Sequence, residues 1–343
     1  MTATAATVLA EDRFRCMGSD AHIVLGGADA VTVDELVERA RARLGFLERS
    51  WSRFLPDSEV SVANAAPGTW HAVSSETIGL VRRALGAWEA TDGRFDPMLL
   101  HDVVAAGYAT TFDPIDVGPP AVRSLGTAVG TAVGRSRAVE SGPGIDLDES
   151  QQRIRVHPGS GFDPGGIGKG FAADLVAGEL LDAGATGVCV NVGGDLRVAG
   201  PPPLGDGLAD GLDHGLTDTA SSAWIVEVED PRDPAGGVVR RLSVAAGGVA
   251  TSSRCRRRWR RPDGSEAHHL IDPSSGEPAA GDVLTATVVA SQGWIAEALA
   301  TAVFLAGAAE APGIVERVGA TGVIVTSGGV IDLPGLDAFV VRP

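Results

Sequence analysis

One ten-residue stretch, Gly161-Phe-Asp-Pro-Gly-Gly-Ile-Gly-Lys-Gly170, constrains the chain more than any other. Its glycines remove the Cβ atoms that would keep backbone N–H groups away from a ligand, Lys169 adds a mobile positive charge, and a helix is predicted to begin there. The helix follows from Phe171 and Leu175, and from Ala172, Val176 and Leu180, at four-residue spacing, with Gly184 where a helix would stop. An anion such as phosphate suits this loop. It is not the Walker phosphate loop, because no Ser or Thr follows the lysine, nor the dinucleotide fingerprint, because Gly-x-Gly-x-x-Gly is absent. A tight loop carrying a surface lysine is the competing interpretation.

The 343 residues, 44% of them hydrophobic, suffice for a sizeable core in one elaborate domain or two. With 28 Lys and Arg against 44 Asp and Glu, the net charge of −16 argues against a nucleic-acid or anionic-membrane partner. Cys16, Cys189 and Cys255 are odd in number and lack C-x-x-C spacing, so neither a disulfide framework nor a zinc site is expected. Residues 1–15 have no basic start and no long apolar segment. They are expected to be a flexible N-terminus, with 16–343 folded. No stretch reads as long and apolar enough to insert in a membrane, and a cytoplasmic protein is expected.

Ala21–Leu25 reads as a strand, and Val31–Glu48 and Ser75–Ala90 as amphipathic helices. Between the helices, Ser52-Arg-Phe-Leu-Pro-Asp-Ser-Glu59 mixes aromatic and polar residues in the manner of a site lining. Met98–Ala106 is a further helical stretch. Segments near 119–144 and 201–222 are rich in small residues, Gly and Pro, and are expected to be loops of low information. Ile145–Asp148 with Arg153–Val156 forms a hairpin that leads into the glycine loop. Strands follow at Gly187–Val192, Trp224–Glu229, Val238–Val244, Gly247–Thr251, Val283–Ala290, Val323–Thr326 and Ala338–Val341, with helices at Trp294–Ala306 and Ala311–Val318. The second half is therefore built on antiparallel sheet.

Asp96, Asp163 and Asp272 each precede proline, which holds their carboxylates on rigid turns, although Asp-Pro is also a common turn with no chemistry. Glu297 and Thr301 are four apart on an otherwise apolar helix and share one face. They suit a hard cation such as Mg²⁺, or else Glu297 points to water and Thr301 bonds its own backbone. Arg254–Arg261 holds six arginines around Cys255 and Trp259, a local excess in an acidic chain.

Taken in order, these pieces resemble the FAD:protein FMN transferases of the ApbE family. The resemblance rests on Met17-Gly-Ser, Ser52 to Glu59 with Asn64, Gly93-Arg-Phe-Asp-Pro97, Asp163 to Asp174, Asn191-Val-Gly-Gly-Asp195, Ala250-Thr-Ser252, His269-Leu-Ile-Asp-Pro and Ala296 to Thr301, over about Met17 to Gly307. With the element pattern it leads to an α+β fold, in which mixed, largely antiparallel sheets are flanked by helices and FAD lies in a cleft between the sheet-rich body and N-terminal loops. The resemblance implies that Mg²⁺ bridges the FAD pyrophosphate while a Thr or Ser hydroxyl of an acceptor flavoprotein displaces AMP, leaving FMN on the acceptor as a phosphoester. By the same resemblance Met17, Phe54, Arg94, Phe95, Asp96, Asp163, Lys169 and Ile271 match positions that hold FAD. Gly166 through its carbonyl, Glu297, Ala300 and Thr301 match the metal site. His269 is the candidate general base, with Lys169 a second catalytic candidate. Glu297 stands where the family usually has Asp, Phe54 and Phe171 where it has Tyr, and the arginine cluster where it tends to have Gly and an aromatic residue. These arginines would hold departing AMP or an acidic target protein, or simply form a basic hairpin. FAD hydrolysis to FMN and AMP, and FAD binding without catalysis, are the alternative functions.

Overall fold

The computed structural model describes residues 8–27, 29–110, 143–203, 217–218, 223–261 and 264–342. At its centre eight strands lie side by side in chain order: β1 (Val8–Cys16), β2 (Ser19–Gly27), β3 (Gly187–Val192), β4 (Asp195–Ala199), β5 (Gly247–Ser253), β6 (Val283–Ala290), β7 (Thr321–Thr326) and β8 (Val330–Asp332). Every neighbouring pair is antiparallel. The rest of the chain is inserted between strands of this meander. Between β2 and β3 come α1 (Ala30–Trp51), α2 (Glu59–Ala65), α3 (Ser75–Ala90), α4 (Leu100–Ala105) and α5 (Gly168–Asp182), with a small sheet of His71–Ala72, Ile145–Asp148 and Arg153–Val156. Between β6 and β7 comes α6 (Gly293–Arg317).

Successive strand residues face opposite sides of a sheet, and here both sides of the central strands are covered. Ile23 and Leu25 of β2, with Val188, Val190 and Val192 of β3, enter the core shared with the helices, whereas Val24 and Cys189 enter a second core. That second core is closed by the hairpin Ala223–Glu229 with Val238–Val244. Its Trp224 is fully buried, and the indole N–H is satisfied by Gly200 O at 2.9 Å. On the helical side Leu44 and Leu47 of α1 are inaccessible to solvent, each worth about 2 kcal/mol of burial.

Helix starts follow from local chemistry. Asp29 caps α1, its Oδ1 accepting the N–H of Thr32 at 2.9 Å. Gln292, at the head of α6, makes no such bond. Its place is taken by Asp174 of α5, which accepts the N–H groups of Gly293 at 2.8 Å and Trp294 at 2.9 Å. The last residue of the glycine-loop motif thus fixes where α6 begins.

Three expectations change, and a fourth falls largely outside the described residues. The segment 1–15, expected to be flexible, is β-strand from Val8 onward, with residues 1–7 outside the described residues. Its charges mislead because an edge strand keeps one face in water while Phe14 packs on the core. The strand expected at Ala338–Val341 is absent: Gly335, at φ 84°, turns the chain into a 3₁₀ turn at Leu336–Ala338, and a single bridge joins Val340 to Leu242. α6 overturns the expectation that no stretch is long and apolar enough to cross a membrane, with 25 residues and a mean hydropathy of 1.6 over an 18-residue window. It is apolar because it is a core helix against the sheet and α5, and Gly307, at φ 71°, breaks it into the two helices expected. The loops expected near 119–144 and 201–222 lie largely outside the described residues.

Candidate functional site

α5 starts at Gly168, so Lys169 stands in its first turn and folds back between two carboxylates. Its ammonium is 2.7 Å from Asp195 Oδ2 and paired with Glu297 Oε1. The other oxygen of Glu297 accepts the Gly170 N–H at 2.7 Å. Asp195 opens β4 just beyond the double-glycine turn Gly193-Gly194, and Glu297 lies in the first turns of α6; both are only 4% exposed. Burial pushes the Glu297 carboxyl up to about 7, against the pull of Lys169. Burial also disfavours the Lys169 ammonium, but Asp195 and Glu297 outweigh it and hold the group at about 12. The lysine read from sequence as a mobile charge is therefore committed to a buried trio whose formal charge is negative.

One turn along α6, Thr301 Oγ1 lies 3.1 Å from Ser252 Oγ of β5. A Cβ built on Gly166 would sit 3.5 Å from the same Thr301 oxygen and 3.0 Å from the Phe95 ring, so the glycine lets main chain approach closely. Carboxylate, hydroxyls and main chain make an all-oxygen donor set, which fits a hard cation. Among the described residues no group of three His, Cys, Asp or Glu gathers to hold a metal by itself. Such a cation would draw its remaining ligands from water and substrate oxygens, as Mg²⁺ commonly does.

The other end of the cleft is aromatic. Phe54 and Tyr108 have ring centroids 5.7 Å apart, Tyr108 and Trp259 also 5.7 Å, and the Arg53 guanidinium lies over Phe54 at 4.2 Å and Tyr108 at 4.6 Å. Arg53 Nε reaches Asp163 Oδ2 at 3.2 Å, while Asp163 Oδ1 accepts the Gly165 N–H at 2.9 Å and so shapes the glycine loop. Asp96 Oδ1 accepts the N–H of Met98 at 2.8 Å. Met17 and Gly18, at φ 52° and 65°, form the two-residue turn between β1 and β2, with the Met17 N–H on Glu48 Oε1 at 2.7 Å. Ile271 packs with Leu99 and Val103 beneath the aromatic end.

His269 faces the same space, and its Nδ1 is buried with no hydrogen-bond partner among the described residues. Burial, then the positive charge of Arg257, hold the ring well below the ordinary histidine value, so it is neutral near pH 7. A neutral imidazole with a vacant nitrogen is equipped to accept a proton.

These groups surround one cleft of about 1800 Å³. Of the residues expected from sequence, all but Arg94 and Ala300 line it. Arg94 is paired with Glu310 at an exposed position, and the Ala300 side chain is fully buried in α6. Sequence reasoning gave Asp195 and Ser252 no role beyond their motifs and did not separate Arg257 from its cluster. A buried acid directly after two glycines was the available signal for Asp195. Glu59 turns out to be structural: its carboxylate accepts the Ser74 N–H at 2.9 Å and Ser74 Oγ at 2.8 Å, fixing the start of α3.

The ApbE family model matches residues 17–325. The chain is similar to the FAD:protein FMN transferase of Treponema pallidum (strain Nichols), at 30% identity over 256 residues, 73% of this chain and 66% of that protein. It is also similar to the FAD:protein FMN transferase of Rhodobacter capsulatus, at 27% identity over 281 residues, covering 81% of this chain but only about half, 48%, of that protein. Among solved structures, the ApbE protein of Thermotoga maritima superimposes with a TM-score of 0.76 at 26% identity, covering 98% of this chain and 100% of that one.

Proposed function

The chain belongs to the ApbE family, and from that premise we propose that it transfers FMN from FAD to a Thr or Ser hydroxyl of an acceptor flavoprotein and releases AMP. The observation that carries this proposal is the convergence in one cleft of a neutral His269, the Lys169–Asp195–Glu297 trio and the Ser252–Thr301 hydroxyl pair, beside the aromatic side chains of Phe54 and Tyr108. In this scheme Phe54 and Tyr108 stack on the planar rings, and Asp163 orders the glycine loop against the diphosphate. His269 Nδ1 takes the proton of the acceptor hydroxyl as its oxygen bonds to the phosphorus of the FMN half. The bond from that phosphorus to the bridging oxygen breaks, and AMP leaves with the electron pair. Glu297, Thr301 and the Gly166 main chain would hold Mg²⁺, whose charge would offset the negative charge that develops on the phosphate oxygens. Lys169 keeps Glu297 aimed at that point.

The test is incubation of the protein with FAD, Mg²⁺ and a Thr-containing flavoprotein acceptor, following AMP and the acceptor's mass. An acceptor heavier by one FMN residue is expected. AMP and free FMN without acceptor modification would replace transfer by hydrolysis, and bound FAD with no AMP would leave a flavin-binding protein.

A further inference from the structure

Lys169 is neutralised by two carboxylates, yet the proposed substrate carries a diphosphate, which beside any metal ion calls for a protein cation free to meet it. Arg257 meets that need. It lies between β5 and the short strand Arg258–Arg260, lines the cleft, is half-buried, and has no carboxylate partner among the described residues. Three of its neighbours are engaged elsewhere: Arg256 pairs with Glu229 at 2.7 Å, Arg261 with Glu277 at 2.7 Å, and Arg254 donates to Gly281 O at 2.7 Å. Arg258 also lines the cleft but is exposed, with nothing among the described residues directing it inward.

The placement of Arg257 is built into the fold. Its backbone sits at φ 49°, a left-handed conformation that costs a non-glycine residue about 1 kcal/mol or more. The side chain is directed inward by a hydrogen bond from Nη2 to Ser19 Oγ at 2.8 Å. Ser19 is itself trapped beneath the double-glycine turn, where a Cβ on Gly193 would come within 2.6 Å of that same oxygen. Two segments more than 200 residues apart, each with a backbone conformation that side chains rarely adopt, thus converge on one guanidinium.

We infer that Arg257 is the phosphate ligand of this cleft, gripping the diphosphate of the bound dinucleotide and the 5′-phosphate of the departing nucleotide. A planar guanidinium with one N–H on Ser19 retains a donor edge for two phosphate oxygens, which an ammonium locked between carboxylates does not. The inference rests on the transferase proposal only for the identity of the anion.

The experiment titrates wild type, Arg257→Met, Arg257→Lys and Ser19→Ala with AMP, ADP and riboflavin. Arg260→Met, an equal loss of charge at an exposed position outside the cleft, is the control. Arg257→Met is expected to weaken AMP and ADP at least tenfold while leaving riboflavin within twofold; Arg257→Lys recovers part of the loss, and Ser19→Ala shows a smaller loss in the same direction. AMP binding unchanged in both Arg257→Met and Ser19→Ala, an equal loss in Arg260→Met, or no binding of AMP or ADP to wild type would overturn the inference. Transfer is measured separately on the same preparations. Nucleotide binding that depends on Arg257 without FMN transfer would sink the proposed function and leave this ligand standing; transfer with Arg257-independent nucleotide binding would do the reverse.

Discussion

Gly170 and Gly293 meet backbone against backbone: a Cβ on Gly293 would stand 2.7 Å from the carbonyl oxygen of Gly170. This contact brings the first turns of α5 and α6 close enough for Lys169 and Glu297 to pair. Gly170→Ala places its methyl 2.8 Å from Trp294 N, against main chain that has little room to yield. We expect a loss of about 1–3 kcal/mol in urea unfolding, with transfer activity falling further as the helices part. Full stability in the variant would contradict the contact.

Replacing Lys169 by Met leaves Asp195 and Glu297 facing each other without their cation. Glu297, already raised by burial, loses the pull of Lys169 and stays above its unfolded value, so the folded state holds more protons than the unfolded one, and stability falls as pH rises. The deficit relative to wild type is expected to be small near pH 4 and to grow to about 3 kcal/mol by pH 8. Denaturant melts across that range decide it, and a deficit independent of pH would exclude the trio as its cause.

His269 has the opposite sign. Its folded value lies below the unfolded 6.5, so between the two the unfolded chain binds the extra proton. The associated stability is fully present above about pH 6.5 and is lost as pH falls. His22 and His268 are lowered by burial too, so wild type is expected to become acid-sensitive below pH 6.5. The stability gap between wild type and His269→Gln should narrow from pH 7.5 to 5. Transfer by wild type should stay flat from pH 7 to 8, with an acid limb below the ordinary histidine range; a limb centred above pH 7 would argue against His269 as the base.

EDTA should stop AMP release, and added Mg²⁺ should restore it. Glu297→Gln keeps the shape of the side chain and removes its charge, so half-maximal rate should need at least tenfold more Mg²⁺. A rate indifferent to chelation would remove the cation from the scheme.

Much of this architecture was legible because its signals are local. The spacing in Ser75–Ala90 gave α3 to the residue, and the apolar run Val283–Ala290 gave β6, since burial on both faces leaves little else for such a run to do. β1 was hidden because Glu11, Arg13 and Arg15 belong to the solvated face of an edge strand and Asp12 adds a charge on the other face, a pattern that composition alone assigns to a loose end. The cleft residues were recognisable as motifs, but their division of labour was not. That Lys169 binds carboxylates depends on β4 and α6 arriving beside the head of α5, and no spacing within the loop encodes it. Likewise Arg257 was one of six arginines until the Ser19 hydroxyl distinguished it.

A sheet that ends can be continued by another molecule, and β1 is an end of this one. Asp12 holds Arg41 through two bonds, at 2.6 and 2.9 Å, and Arg41 lies 4.4 Å above the Phe14 ring. Arg13 and Arg15 stand out beside them, paired with Glu11 and Asp20. At the far end β8 offers only three residues. Fixed charges at one margin and brevity at the other leave a neighbouring chain little ladder to join, so the sheet is protected from growing into aggregates at the very strand whose charges disguised it.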